Sequence, residues 1–446
     1  MIDRVLSLLR ERRYSELRAL LTDLHVADIA DLFSEIEDRE LMLRLFRLLP
    51  KDSAAETFSY MDADIQQSII ESITDVELKS ILDDMFLDDC VDLIEEMPAN
   101  VVQRVLRNSS PENRRLINQY LQYPEDSAGS LMTNEYVCLK RGMTVSDALA
   151  VIRRDGVDKE TIENCYVVSP DRKLEGEVTL RQLVLSDPAT PITDIMDDNV
   201  RSCHTHDDEE QIAQAFTRYD LLAMPVVDNE NRLVGIITID DAVDVIQEEN
   251  TEDFEIMAGM APSEDTYLKT PVLTLAKNRI VWLLVLMLSA MVTGALLQHY
   301  EAAISALPLL VSFIPMLMDT GGNGGSQAST MIIRGLALDE IHLSDLFVVW
   351  WKEARVALLC GSALAAVNFL RIWLQYGDPG IAAVVALTLL CTLFIAKSLG
   401  CLLPMAAKKL RLDPALMASP LITTITDACS IFVFFNFSMA ILGSRL

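Results

Sequence analysis

Hydropathy divides this chain into two halves of different pattern. Beyond residue 270 it runs through five mainly apolar stretches, near 278–298, 303–333, 354–375, 381–406 and 415–443. A helix needs about 20 such residues to cross about 30 Å of hydrocarbon, and five in succession rarely occur in a water-soluble core, so they are read as membrane spans. Upstream, apolar residues recur at helical spacing instead: VADIADLFSEIE (26–37) and LDDCVDLIEEMP (87–98) share one pattern, with LLPKDSAAETF between them. This fits short stacked helical repeats or the amphipathic helices of a general all-α domain equally well. From Tyr123 onward one strand and helix pattern occurs twice. SLMTNEYVCL, TVSDALAVIRR and NCYVVSPDRKLEGEVTLRQL form the first copy; DIMDDNVRSC, EEQIAQAFTRYD and AMPVVDNENRLVGIITIDDAV form the second. The predicted fold is a multidomain membrane protein. It has an all-α superhelical N-domain (1–122), two α/β modules (123–189 and 190–247), a connecting helix (239–263) and a five-helix transmembrane domain (274–446).

Charge sharpens the division. The formal net charge is −29 over 446 residues; residues 271–446 hold 11 Lys+Arg and 9 Asp+Glu, which leaves 26 and 57 for residues 1–270, net −31. So acidic a surface repels nucleic acid and anionic lipid and attracts cations, and no nucleic-acid partner is expected. The eight cysteines are scattered singly without a C-x-x-C pair, which fits reduced thiols in a cytosolic or membrane setting. MIDRVLSLLRERRYSELRALL mixes charge through its apolar residues and has no signal-peptide core. Lys277 and Arg279 precede the first span, Arg334, Lys352 and Arg355 bracket the second connection, and Lys408, Lys409 and Arg411 lie in the fourth. The opposite connections, HYEAAISA and QYGDPG, contain no Lys or Arg. Basic residues mark the cytoplasmic side, so the acidic half is placed in the cytoplasm, below the plasma membrane (a bacterial inner membrane).

Three polar features interrupt the apolar logic. PMLMDTGGNGGSQASTMIIRG (315–335) carries four glycines, Asn323, a glutamine and hydroxyls, none of which a lipid-facing helix uses. Non-helical backbone at membrane depth is tolerated where it lines a cavity, so a break lining a conduit is predicted here. In the last span, DPALMASPLITTITDACSIFVFFNFSMAILG, Asp413 and Pro414 read as N-cap and first turn. Asp427 falls near mid-span with Thr423, Thr424 and Ser430 on its side. A carboxylate at that depth is costly and faces a polar pathway or a partner on a neighbouring helix; Lys397 is the nearest basic candidate. The connector DDAVDVIQEENTEDFEIMAGM sets Asp241, Asp244, Glu249, Glu252 and Asp253 at helical spacing, where like charges repel. That is either a solvated acidic helix or a face relieved by bound cation. Oxygen-only ligands suit Mg²⁺ or Ca²⁺, and the lack of nearby His and Cys argues against zinc or copper.

Two resemblances follow from these motifs. Over about residues 130–247 the tandem resembles a pair of cystathionine-β-synthase-type (CBS) domains, regulatory modules that sense adenine nucleotides or ions. In the second copy G-I-I-T-I-D-D supplies Gly235, Thr238 and Asp241 where that family often holds a ribose; the first copy reads G-E-V-T-L-R-Q, with Gln182 in place of the acid. ATP or another adenine nucleotide is thus the implied cofactor besides Mg²⁺. The whole order, with TEDF in the connector, P-M-L-M-D-T-G-G-N-G-G-S-Q-A-S and D-P-A-L-M-A-S-P-L-I-T-T-I-T-D in the spans, resembles the MgtE magnesium channels/transporters over nearly the whole chain. The resemblance implies a homodimer in the lipid bilayer with a Mg²⁺-selective pathway in which Asp427 holds the hydrated ion and Asn323 belongs to the lining. It also implies a connecting plug helix that closes the pore when cytosolic Mg²⁺ fills sites at Asp241, Asp244, Glu249, Glu252 and Asp253 with N-domain partners Glu56, Asp88 and Asp92. Gln247 stands where an acid is expected.

No G-x-x-x-x-G-K-[ST] loop is present and none of the five histidines has a ligand-like partner, so ATP hydrolysis and enzymatic function are not expected. Three transport readings compete. They are a divalent-cation channel; a proton- or sodium-coupled divalent-cation (Mg²⁺/Co²⁺) transporter using Asp427 as its coupling site; and a CBS-regulated anion channel, which the lack of basic pore residues disfavours.

Overall fold

The structure is a computed structural model and describes residues 1–36, 38–263, 267, 268 and 270–443. It comprises two compact units, Met1–Ile246 and Gln247–Leu446.

The first unit begins with short helices from Ile2–Arg10 to Pro111–Tyr120, so residues 1–120 are all-α. Their starts are written locally. Thr74 accepts from the Glu77 amide while Glu77 reaches back to the Thr74 amide, and Ser110 caps a helix whose first residue is Pro111. Arg104 ties one helix layer to the preceding one, donating to the Ile73 carbonyl (2.6 Å) and pairing with Asp75 (2.9 Å). One apolar core runs from Val5 through Phe33, Phe58 and Val91 to Phe216, Val226 and Ile237 of the second α/β module.

Each module is a three-stranded sheet. In the first, β1 (Val137–Lys140) pairs parallel to β2 (Asn164–Val168), which pairs antiparallel to β3 (Leu174–Thr179). In the second, β4 (Cys203–His204), β5 (Ala223–Val227) and β6 (Leu233–Thr238) repeat the order. Helices Val145–Asp155 and Glu209–Tyr219 make the parallel crossovers. Tyr136 and Tyr166 meet Leu233 and Ile236 between the sheets, so the copies share a core.

The connecting helix runs from Ile239 to Met257 and spans the division between the units. It ends earlier than the predicted 263 because Gly259 adopts φ +74°, a left-handed conformation that stops a helix.

In the second unit four helical segments are long and apolar enough to cross a membrane, among the described residues: Val272–His299, Leu343–Tyr376, Pro379–Lys409 and Pro414–Leu442. They correspond to the first, third, fourth and fifth predicted spans. The stretch expected at 303–333 divides instead into helix Glu301–Ala306, a 3₁₀ segment Pro308–Phe313 and the glycine-rich helix Ile314–Ala337.

The predicted break is absent: the glycine-rich helix is continuous through GGNGGSQ. Tertiary packing outweighs the poor helix propensity of glycine here. A Cβ on Gly321 would stand 2.7 Å from Thr392 Cγ2, on Gly322 2.8 Å from Thr423 Cγ2, and on Gly325 2.5 Å from Ile422 Cγ2 and 3.2 Å from the Ala396 carbonyl. The glycines are therefore seats for the fourth and last helices, the small-residue packing that membrane helices use in place of a hydrophobic driving force. Asp413 does cap the next segment, accepting from the Ala415 amide at 2.8 Å, but what it starts is a 3₁₀ turn, Pro414–Met417. The α-helix begins at Ser419 with Pro420 in its first turn.

Candidate ion pathway and acidic cluster

Asp427 sits on the last helix, Ser419–Leu442, half-buried, and its Oδ1 is sealed from solvent with no hydrogen-bond partner. The expected hydroxyls around it are partly committed: Thr424 donates to the Pro420 carbonyl (3.0 Å) and Ser430 to the Thr426 carbonyl (2.6 Å), leaving their oxygens as acceptors only. Lys397 does not neutralise Asp427. It pairs with Glu353 of the third helix at 3.3 Å. Another carboxylate, Asp319 of the glycine-rich helix, interacts electrostatically with Asp427.

Asp319 was not singled out from the sequence, although the periodicity held the signal. Asp319, Asn323 and Gln327 follow at intervals of four, so they form one stripe on the helix, and all three are exposed in the single chain. The other face, Gly321, Gly322, Gly324, Gly325 and Ala328, is buried. Glycine thus seats one face while amide and carboxylate groups occupy the other. Gly325→Leu is expected to force the helices apart, lowering the melting temperature and conduction together, since overpacking of this kind costs about 1–3 kcal/mol or more. Leu309→Ala, in the 3₁₀ segment, is expected to have the smaller effect on flux; equal tolerance at both positions in a transport assay would refute this role for the glycine face.

The second constellation lies in the first unit. Helix Leu87–Glu95 carries Asp88, Asp89 and Asp92; the start of the connecting helix carries Asp240, Asp241 and Asp244; Glu160 comes from the loop before β2 and Glu56 from helix Lys51–Ser59. These carboxylates act on one another. Burial and the neighbouring acids push Asp89 and Asp241 up to about 6 and Glu160 to about 8, and raise Asp88 well above the usual carboxylate range. Burial followed by Asp89 and Asp241 also raises Asp92, and burial followed by Asp240 raises Asp244; both keep solvent contact, which screens part of the effect. Asp88 Oδ1 and Glu160 Oε2 are sealed without a hydrogen-bond partner. Among the described residues, however, no three His, Cys, Asp or Glu groups converge closely enough to hold a metal ion.

Of the expected regulatory residues, Asp88, Asp92, Asp241, Asp244 and Glu56 fall in or beside this cluster: Glu56 and Asp244, with Asp240 and Asp89, bear on Tyr60. Glu249, Glu252 and Asp253 lie further along the connecting helix in the second unit. Asp89 and Glu160 were missed. Asp89 stands beside a chosen residue, whereas Glu160 is in a loop whose position no periodicity reveals.

The nucleotide candidates are also occupied. Thr238 Oγ1 donates to Asp241 Oδ2 at 2.7 Å, so Asp241 braces the strand-to-helix turn as well as joining the acidic cluster. In the first module Thr179 and Gln182 form the equivalent brace, and Gln182 Nε2 donates to the Ile195 carbonyl at 3.1 Å.

A carboxyl whose folded pKa lies above its unfolded value of about 4 stabilises the fold most below that pH and loses this contribution as pH rises through the folded pKa. Without divalent cation, hydrogen-exchange protection of helix Leu87–Glu95 is therefore expected to fall between pH 5 and 8, roughly the window set by Asp89, Asp241 and Glu160. Protection that rises with pH would refute this reading of the cluster.

At its far end the connecting helix is tied into the membrane half. Ile256 and Met257 pack with Ile333, Ala415 and Ala418, Gly259 lies against the Trp282 indole, and the Ala261 amide donates to the Asn278 carbonyl at 3.0 Å.

Long apolar helices, a carboxylate within the last of them that makes no salt bridge among the described residues, and an acidic N-terminal half are the features of a multi-pass membrane transport protein. Comparison with known families agrees: residues 314–437 match the MgtE divalent cation transporter family, 24–126 the MgtE intracellular N domain, and 128–187 and 192–248 the CBS domain. The chain is 36% identical over 440 residues to the magnesium transporter MgtE of Thermus thermophilus, covering 97% of both proteins. It is 29% identical over 444 residues to that of Bacillus subtilis, covering 100% of this chain and 98% of the relative. The chain belongs to the MgtE family. The crystal structure of the cytosolic domain of the Mg²⁺ channel MgtE in complex with ATP matches with 36% identity and a TM-score of 0.52, covering 55% of this chain and all of that one.

Proposed function

We propose that this protein is a homodimeric Mg²⁺ channel of a bacterial plasma membrane, in which Asp427 holds the hydrated ion and cytosolic Mg²⁺ closes the pathway. The observation that carries the reading is the half-buried Asp427 carboxylate, whose Oδ1 is sealed without a hydrogen-bond partner, with Asp319 acting on it electrostatically and Lys397 committed to Glu353. An intramembrane acid without a base requires a cation or a water-filled path. Mg²⁺ sheds water reluctantly, so outer-sphere contacts from Asp427, Asn323 and the threonine oxygens suit the hydrated ion. The Asp319, Asn323 and Gln327 stripe supports the homodimer, since a polar stripe open to lipid is unfavourable and a second copy would enclose it. The first membrane helix, Val272–His299, with no buried residue, supports the same assembly.

Gating is assigned to residues 1–122, the CBS pair (123–189 and 190–247) and the connecting helix, with the soluble part cytoplasmic. Mg²⁺ bound at Glu56, Asp88, Asp92, Asp241 and Asp244, and separately at Glu249, Glu252 and Asp253 further along the connecting helix, relieves the repulsion within each group and favours the closed pathway. ATP is assigned to the CBS pair at Thr238 and Asp241; Asp241 would have to exchange its Thr238 bond for a ribose hydroxyl. A membrane potential favours entry of a divalent ion by about 4.6 kcal/mol per 100 mV, so no coupling ion is required. The test is metal flux into proteoliposomes at clamped potential, one divalent ion at a time. Mg²⁺ influx that follows the potential alone is expected; influx that needs a proton or sodium gradient would assign Asp427 to coupling instead.

A further inference from the structure

Lys397 and Glu353 are a buried and a half-buried charge that the pathway described above leaves out. Lys397 is 5% exposed within the fourth membrane helix, Pro379–Lys409, and its partner Glu353 lies on the third helix, Leu346–Tyr376. Trp350, one turn before Glu353, donates its indole N–H to Ser398 Oγ at 3.2 Å, which fixes the two helices beside the pair. Such a pair is a poor stabilising device, because the cost of desolvating two charges offsets most of their attraction. Its position is more informative. Ala396, immediately before Lys397, presents its carbonyl to Gly325, and Gly400, three residues after it, lies against the Gly325 carbonyl and Ala328. Lys397 is thus rooted where the fourth helix crosses the glycine-rich helix. That same helix carries the Asp319, Asn323 and Gln327 stripe and seats Thr423, one turn before Asp427, on Gly322. Inside a membrane protein little solvent or salt screens a fixed charge, so its field extends to the helix packed at this crossing. An unpaired ammonium at this crossing would oppose a cation in the pathway, and a divalent ion twice as strongly as a monovalent one.

Resting on the conduction reading above, we propose that Glu353 neutralises the Lys397 ammonium and so keeps the pathway electrically open to divalent cations, acting as a positioning residue that never touches the ion. The roles of the two partners are then unequal. Removing Glu353 exposes a positive charge to the pathway; removing Lys397 does not.

Mg²⁺ influx into proteoliposomes at fixed potential, with a melting curve for each preparation, tests this on wild type, Glu353→Gln, Lys397→Gln and the double variant. Glu353→Gln is expected to lose about tenfold or more in influx, the scale of a nearby uncompensated charge, while Lys397→Gln stays within about twofold of wild type and the double variant recovers. A purely structural pair would make the two single variants equally harmful. Equal loss in both, wild-type influx in folded Glu353→Gln, or failure of the double variant to recover overturns the inference. Should Glu353→Gln not fold, loss of influx in folded Lys397→Gln or in the folded double variant overturns it equally. No influx in wild type overturns the conduction reading, and this inference with it; influx in wild type with symmetrical losses overturns this inference alone.

Discussion

Asp427→Ala is expected to lower Mg²⁺ influx by roughly a hundredfold or more while the protein still inserts and assembles. Charge-assisted hydrogen bonds are worth about 1.5–3 kcal/mol each, and about 1.4 kcal/mol is tenfold in occupancy, so losing two outer-sphere contacts removes about two orders of magnitude or more. Insertion should survive because Oδ1 makes no hydrogen bond that folding relies on, and the surrounding hydroxyls are held by their own helix. Deleting a half-buried acid that has no base should leave the melting temperature unchanged or raised. Asp427→Asn is the finer variant: it keeps shape and hydrogen-bonding capacity and loses only charge, so partial influx would measure the electrostatic share. Wild-type influx in folded Asp427→Ala would remove Asp427 from the pathway altogether.

What the sequence revealed depended on the range of the interaction that fixed each feature. Hydropathy located the membrane helices because burial in hydrocarbon is a property of one segment, and the two α/β modules were legible because each strand and helix repeats its pattern within about 60 residues. The glycine-rich helix was misread for the opposite reason. Taken alone GGNGGSQ disfavours a helix, and only the contacts of Gly322 with Thr423 and Gly325 with Ile422, roughly a hundred residues away, make it continuous. Asp427 stood out because a mid-span acid is costly in any context. Its companion Asp319 was obscured among glycines whose oddity drew attention first, and the Glu353 and Lys397 pair joins two helices through residues that look unremarkable in sequence.

Neutralising the acidic cluster is expected to abolish the response of the soluble half to Mg²⁺. Asp88, Asp89, Asp92, Asp240 and Asp241 repel one another in wild type, and burial adds to the cost, so at low Mg²⁺ the contact between helix Leu87–Glu95 and the start of the connecting helix should open readily. Millimolar divalent cation should compact it, to the extent that the closed arrangement binds the ions more tightly than the open one. Limited proteolysis of wild type is therefore expected to slow severalfold on adding Mg²⁺, with little change on adding the same ionic strength as monovalent salt, which screens but does not bridge. In Asp88→Asn/Asp92→Asn/Asp241→Asn/Asp244→Asn four of the acids lose charge and ligand capacity together, with Asp89, Asp240 and Glu160 left in place, so digestion should lose most of its dependence on Mg²⁺. In patch recordings the same variant should lose inhibition by cytosolic-side Mg²⁺. Its basal opening is set by which loss dominates: removing repulsion favours the closed contact, and removing the bridging ligands favours release. A variant that is still protected by Mg²⁺ and still inhibited from the cytosolic side would place the sensor outside these carboxylates, and Glu249, Glu252 and Asp253 at the far end of the connecting helix would be the next positions to neutralise.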